Sequence, residues 1–333
     1  MSSPRTKRRG LLSFAVLLPM AGLIPVGEAW AAEPDGGSPS APGKPTVVLV
    51  HGAWADASGW NEVSGRLQNE GYPVVTTANP LRSLSGDSAY LAARLKAIEG
   101  PIVLVGHSYG GSVITNAAVG NPNVKSLVYI AALQPDVGES VLQLATKYPG
   151  SRLSDDPDAS VPTALNAVPI PGQGDPAKDV ELYIKPEKFS EVFLSDRLDS
   201  SIAEVLAAAQ RSATPAAFGE PSKKPAWKTL PSWALVATED YTIGTENLRF
   251  MAKRAGSHVV EVDAPHAVHL TDPGAVTDLI RRAAQPESGT ATPSLAETGS
   301  WERTAALGGV SGLAIAGGIA MVALSRRVRP SRR

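Results

Sequence analysis

The sequence predicts an α/β chain: a mostly parallel sheet covered by helices on both faces, with a helical lid inserted after the fourth strand. Three observations carry this. Six short apolar runs, rich in Val, Ile and Leu and without polar alternation, are separated by stretches of helical periodicity, as expected for strands buried on both faces. Between residues 134 and 229 that rhythm breaks: prolines and glycines become frequent, and amphipathic pieces follow one another without apolar strands between them. The third apolar run, Ile102-Val103-Leu104-Val105, leads straight into Gly106-His107-Ser108-Tyr109-Gly110 and a helix-compatible stretch at 112–118.

Taken in order, residues 45–133 form the first part of the core. Residues 46–50 are the first strand, ending in His51-Gly52-Ala53-Trp54, and a helix spans about 58–68. Residues 72–77 are the second strand. Asp87 reads as the N-cap of a helix whose Leu91, Leu95 and Ile98 share one face. The Ser108 strand and its helix follow, then a fourth strand at 124–131. Within the lid, 134–229, the amphipathic pieces are 139–148 and 200–210. The core resumes over 230–284, with a strand at 233–238, a helix at 246–255 and a last strand at 258–262. Asp272-Pro273 then opens the closing helix with a cap and a proline at its first position.

Both ends read as sorting devices. Lys7-Arg8-Arg9 precede an apolar run over 11–26, and Ala29-Trp30-Ala31 offers a small-x-small cleavage site, so 1–31 is read as a signal peptide. Arg8-Arg9 followed by Gly10-Leu11-Leu12 resembles a twin-arginine export signal, with ordinary Sec export as the alternative. Residues 32–44 and 285–298 are Pro/Gly/Ser-rich linkers. The second linker ends in Leu295-Ala296-Glu297-Thr298-Gly299, followed by an apolar or small-residue run at 305–324 and by Arg326, Arg327, Arg329, Arg332 and Arg333. Such a run is long enough to cross a bilayer, and the arginines place its end in the cytoplasm. The order pentapeptide, span, arginines resembles the cell-wall sorting signal of Gram-positive surface proteins. The resemblance implies cleavage between Thr298 and Gly299, loss of 299–333, and transfer to the wall by a sortase. A plain membrane anchor is the alternative.

Composition narrows the chemistry. Of the 31 basic and 32 acidic side chains, 1–31 carries four and one, and 299–333 carries six and one. The body between them holds 21 basic and 30 acidic, a net charge of −9, which argues against nucleic acid as a partner. The chain has no cysteine, which removes disulfides, thiolate catalysis and cysteine metal sites. The five histidines show no paired-ligand spacing, and no Gly-x-Gly-x-x-Gly follows a strand, so neither metal nor any other cofactor is expected. Gly-x-Ser-x-Gly between a strand and a helix has a specific mechanical use. The chain must turn sharply, which strains Ser108 and exposes its hydroxyl, while Gly106 and Gly110 let the flanking segments close on each other. The helix start adds free N–H groups and partial positive charge beside the oxygen.

With His-Gly-Ala-Trp after the first strand, Gly-His-Ser-Tyr-Gly at the elbow, Thr238-Glu239-Asp240 after the fifth strand and Ala264-Pro265-His266 after the last, the body resembles an α/β-hydrolase over about 45–284. It is similar to the small esterases and hydroxynitrile lyases with an inserted lid. One departure is that the first strand begins only about fourteen residues after the expected cleavage site, too few for the two leading antiparallel strands of larger members. The resemblance implies Ser108 as nucleophile, His266 as its base, Asp240 as the carboxylate that orients the imidazole, and the backbone N–H groups of Ala53 and Tyr109 as the oxyanion hole. Rivals remain in His269 for the base, and in Glu239 or Asp136 for the acid. His51 and His107 read as structural, His258 as incidental, and Trp54 and Trp60 as packing.

The expected activity is therefore ester cleavage through an acyl-enzyme, on a small molecule with an apolar part suited to the lid. A hydroxynitrile lyase would place lysine directly after the histidine, where this chain has Ala267. A cofactor-free haloperoxidase-like activity on the same three residues, and a non-catalytic wall-bound module, are the further alternatives. Oligomeric state and the identity of the ester are not set by the sequence.

Overall fold

The computed structural model describes residues 43–172 and 179–285. The expected signal peptide, most of the first linker, the sorting pentapeptide with Thr298 and Gly299, and the 305–324 span lie outside these residues. Among the described residues no helix is long and apolar enough to cross a membrane.

The core is a six-stranded sheet, every neighbouring pair parallel, built from β1 (Thr46–Val50), β2 (Val74–Thr77), β3 (Ile102–His107), β4 (Val124–Ile130), β7 (Ser232–Glu239) and β8 (His258–Pro265). Their spatial order is β2-β1-β3-β4-β7-β8. All six residues of β3 are buried, whereas β8, at the sheet edge, alternates exposed and half-buried positions until Ala264. A central strand has both faces covered and an edge strand does not, so only the former needs an unbroken apolar run.

Strand order reverses direction at β1. Right-handed crossovers then send the connecting helices to opposite faces and open a crevice at the carboxyl ends of β1 and β3. Accordingly α1 (Asn61–Asn69) packs on α10 (Pro273–Ala283), and α2 (Leu84–Lys96) packs on α3 (Tyr109–Ala117). A 3-10 turn at Ala57–Trp60 leads into α1, and α8 (Thr245–Ala255) lies along β7.

Helix boundaries follow local chemistry. The Asp272 carboxylate accepts from the Ala275 N–H at 3.0 Å with Pro273 at the first position, as expected. The cap expected at Asp87 is instead Ser83, whose hydroxyl accepts from the Gly86 N–H at 3.1 Å. Asp87 sits inside the first turn of α2, buried, with a different task described below.

Between β4 and β7 lies the lid. It carries the helices α4 (Val141–Ala145), α5 (Pro186–Phe189), which runs into a π turn at Ser190–Leu194, α6 (Ser200–Ala209) and α7 (Pro215–Gly219). The α9 turn (Val268–Thr271) follows β8, back in the core. The lid is not helical throughout: β5 (Leu165–Pro169) and β6 (Val180–Ile184) pair as a two-stranded antiparallel sheet. The alternation Val180, Leu182, Ile184, all buried, is the period-2 signal for that strand.

Candidate active site

The groups that the sequence analysis singled out converge on the carboxyl end of the sheet, contributed by the ends of β1, β3, β7 and β8. Ser108 directly follows β3 and caps α3 with φ +54° and ψ −125°. A non-glycine residue in that region is strained by on the order of 1–3 kcal/mol and persists only where its surroundings hold it. Packing supplies that hold. A Cβ on Gly106 would lie 2.7 Å from the carbonyl carbon and oxygen of Gly110, and one on Gly110 would lie 2.6 Å from Val50 O. Neither position accommodates a side chain, because both contacts are to backbone that cannot yield.

His266 and Asp240 meet directly. The His266 Nδ1–H donates to Asp240 Oδ2 at 2.7 Å, both side chains fully buried. Asp240 is itself fixed, since its Oδ1 accepts from the N–H groups of Thr242 at 2.9 Å and Ile243 at 2.7 Å. With Nδ1 committed to the carboxylate, the free lone pair of His266 is on Nε2, a buried atom with no hydrogen-bond partner among the described residues. The elbow and the His266 loop are joined one residue from Ser108: His107 Nε2–H donates to His266 O at 3.0 Å. The Phe193 ring of the lid lies 5.1 Å from the His266 ring, edge to face.

The rivals are occupied elsewhere. Glu239 pairs with Arg197 at 2.7 Å and Asp136 with Lys228 at 2.6 Å. His269 is packed between Trp60, at 4.8 Å, and His107, at 4.2 Å between ring centroids. His51 donates through Nδ1 to Gly52 O at 2.8 Å and accepts at Nε2 from the Asn79 N–H at 2.9 Å, so both nitrogens hold the β1 loop in place. Among the described residues no group of three or more His, Asp or Glu side chains is arranged to hold a metal ion.

Protonation makes these histidines a measurable liability. Burial holds His51 down at about 4 and His269 at about 3, against an ordinary value of 6.5, and lowers His107 as well. The unfolded chain then binds more protons than the folded one below pH 6.5. Stability therefore rises with pH in that window and is lost as pH falls from about 6.5 toward 4. For His51 alone the loss by pH 4 is on the order of 3 kcal/mol. With His269 adding a comparable loss, the thermal midpoint is expected to drop by at least about 10 °C between pH 7 and pH 4, and by less in His269→Gln. A midpoint that stays flat over this range, by calorimetry, would contradict the assignment.

Ala53 and Tyr109 border the same space. Both are buried, and both line, with Ser108, a cavity of about 600 Å³ roofed by the lid. Its wall is largely apolar, including Leu133 from the core and Val141, Leu153, Leu182 and Phe218 from the lid. Trp54 also lines it, whereas Trp60 is enclosed in the core. No sequence pattern pointed to the lid residues, since their approach to Ser108 depends on long-range folding. The Tyr109 hydroxyl does not face the cavity as a free group: it donates to the buried Asp87 Oδ2 at 2.7 Å. Burial pushes the Asp87 carboxyl up, and this hydrogen bond opposes it. Asp87 therefore anchors the residue after Ser108, a task that a capping pattern conceals.

Comparison with known proteins places this architecture. Over 113 residues the chain is 34% identical to a carbendazim hydrolyzing esterase of Nocardioides sp. (strain SG-4G), a match covering 30% of the chain and 47% of that protein. It is 27% identical over 264 residues to the alpha/beta hydrolase nvfD of Aspergillus novofumigatus (strain IBT 16806), covering 72% and 97%. Among solved structures, polyneuridine aldehyde esterase superposes with a TM-score of 0.60 at 18% identity, over 73% of this chain and all of that one. The sequence model of the alpha/beta hydrolase family matches residues 47–279, from the first core strand to the closing helix, and with the parallel sheet and strained serine turn already described, the chain belongs to that family.

Proposed function

We propose that this protein is a serine hydrolase that cleaves carboxylic esters of small molecules with an apolar part, through an acyl-enzyme on Ser108. The observation that carries the reading is the Asp240–His266 pair: a 2.7 Å bond that commits Nδ1 and leaves Nε2 basic and unpartnered. In the proposed sequence His266 Nε2 takes the Ser108 proton as Oγ attacks the ester carbonyl carbon. The N–H groups of Ala53 and Tyr109 receive the resulting oxyanion, worth about 10²–10³ in rate per donor. Collapse expels the alcohol, which leaves with the proton from His266. Water then attacks the acyl-enzyme with His266 again as base, releasing the acid and restoring the Ser108 hydroxyl. A relative named for ester cleavage supports the same chemistry.

The apolar wall of the cavity supports an apolar acyl or alcohol group. Each methylene moved from water into such a wall is worth about 0.8 kcal/mol. On p-nitrophenyl esters of increasing acyl length, kcat/KM is therefore expected to climb about two- to fourfold per methylene from acetate to the octanoate range. Absence of turnover on every ester, or a steady fall from acetate onward, would contradict the proposal.

Location is proposed from sequence alone. Export is supported by Arg8-Arg9, the apolar run at 11–26 and the Ala29-Trp30-Ala31 site; attachment to the wall is supported by Leu295 to Gly299 ahead of the span at 305–324 and its arginines. The partners in this scheme are the export machinery and a sortase, and the substrate is met outside the cell.

A further inference from the structure

We infer that Trp54 is a positioning residue for ester hydrolysis: it ties the lid to the loop that carries the Ala53 N–H, and so sets the geometry of the oxyanion hole. The inference rests on the esterase reading above.

Trp54 directly follows Ala53 and has φ +57°. A bulky side chain in the left-handed region is an outlier, and such a conformation persists only when the surroundings over-determine it. Here three contacts to the lid do so. The Trp54 N–H donates to Arg211 O at 3.2 Å, its indole Nε1–H donates to Leu182 O on β6 at 3.0 Å, and its ring lies 5.5 Å from the Phe218 ring on α7. Phe218 also meets the Tyr109 ring edge-on at 6.1 Å. One lid ring thus touches the neighbour of the first proposed oxyanion donor and the residue that carries the second.

The lid side of this clamp is anchored in turn. The Thr214 N–H, just before α7, donates to Leu81 O at 3.1 Å, so the helix bearing Phe218 is fixed to the loop after β2. Trp54 is also a partition. It lines both the large apolar cavity and a second cavity of about 50 Å³ beside Phe193 and His269. A mere wall residue would need neither two hydrogen bonds to the lid nor a strained backbone. A residue that transmits the lid's position to the adjacent peptide N–H needs both.

The test uses the full chain and a neutral p-nitrophenyl ester. Trp54→Phe keeps an aromatic ring facing Phe218 and removes the indole N–H together with the pyrrole part of the ring; Leu182 O retains the Ala213 N–H at 3.3 Å. Losing an oxyanion donor outright costs about 10²–10³, so misaligning one is expected to lower kcat about tenfold, with KM within about twofold. The inhibition constant of an alkyl trifluoromethyl ketone, whose adduct oxygen sits where the oxyanion forms, is expected to rise by the same factor. Phe218→Leu is likewise expected to lower kcat and raise that constant in proportion, and carries the test should Trp54→Phe fail to fold. Wild-type kcat and inhibition constant in a folded variant, or a change in KM alone, would overturn the role. A wild-type protein without ester turnover would instead overturn the hydrolase reading itself.

Discussion

Ser108→Ala is expected to lower kcat for ester hydrolysis by about 10⁴–10⁶-fold, because the oxygen that would bond the acyl group is gone while the binding cavity remains. The fold should survive. Among the described residues Ser108 makes no side-chain hydrogen bond that alanine would leave unmatched, and the turn is held by the close backbone packing of Gly106 and Gly110. Far-UV circular dichroism and the urea midpoint are expected to match wild type within about 1 kcal/mol. Labelling by a fluorophosphonate probe should disappear with the hydroxyl. A folded variant that still turns over esters at more than about 1% of the wild-type rate would remove Ser108 from the chemistry.

Asp240→Asn is the second large effect, expected to cost about 10³–10⁴ in kcat. The substitution separates structure from tautomer. The amide oxygen of the substituted side chain can still accept from the Thr242 and Ile243 N–H groups, which Oδ1 of Asp240 now does at 2.9 and 2.7 Å. The amide NH₂ would then face His266 and require a lone pair on Nδ1, which moves the ring proton to Nε2 and removes the base. The variant should keep its folding stability to within about 2 kcal/mol and lose its rate. Retention of more than a tenth of wild-type kcat, measured across pH 6 to 9, would show that the carboxylate does not set the tautomer.

The core of this site was legible in the sequence because its parts are local. β1, β3, β7 and β8 are strand-like in sequence, and Ser108, Asp240 and His266 stand just beyond the ends of three of them, so strand prediction places them at one end of the sheet while the family resemblance chooses them over Glu239 and His269. The strained φ at Ser108 follows from the same local geometry. What failed to show was long-range. Asp87 matched a capping pattern, but Gly86 inside the first turn, a poor helix former, hid the true start at Ser83. The role of Asp87 lies 22 residues away, on the Tyr109 hydroxyl.

The small lid sheet escaped notice for a related reason. β6 alternates as a strand should, but its partner β5 is exposed over four of five positions and ends in Pro169, so it lacks the apolar face that marks a strand. Trp54 read as packing because spacing records neither φ nor a bond from its indole to Leu182, 128 residues on. Rigid tertiary contacts of this kind convert a shared fold into a particular active site, and they leave little trace in local pattern.

The most direct measurement is the capture of the covalent intermediate. The protein is mixed with excess p-nitrophenyl ester, quenched in acid within milliseconds, and analysed by intact mass and peptide mapping. One acyl group per chain, on the peptide containing Ser108 and absent from Ser108→Ala, is the predicted result. Turnover without any acylated chain, or an acyl group carried on another residue, would contradict the proposed nucleophile and the mechanism built on it.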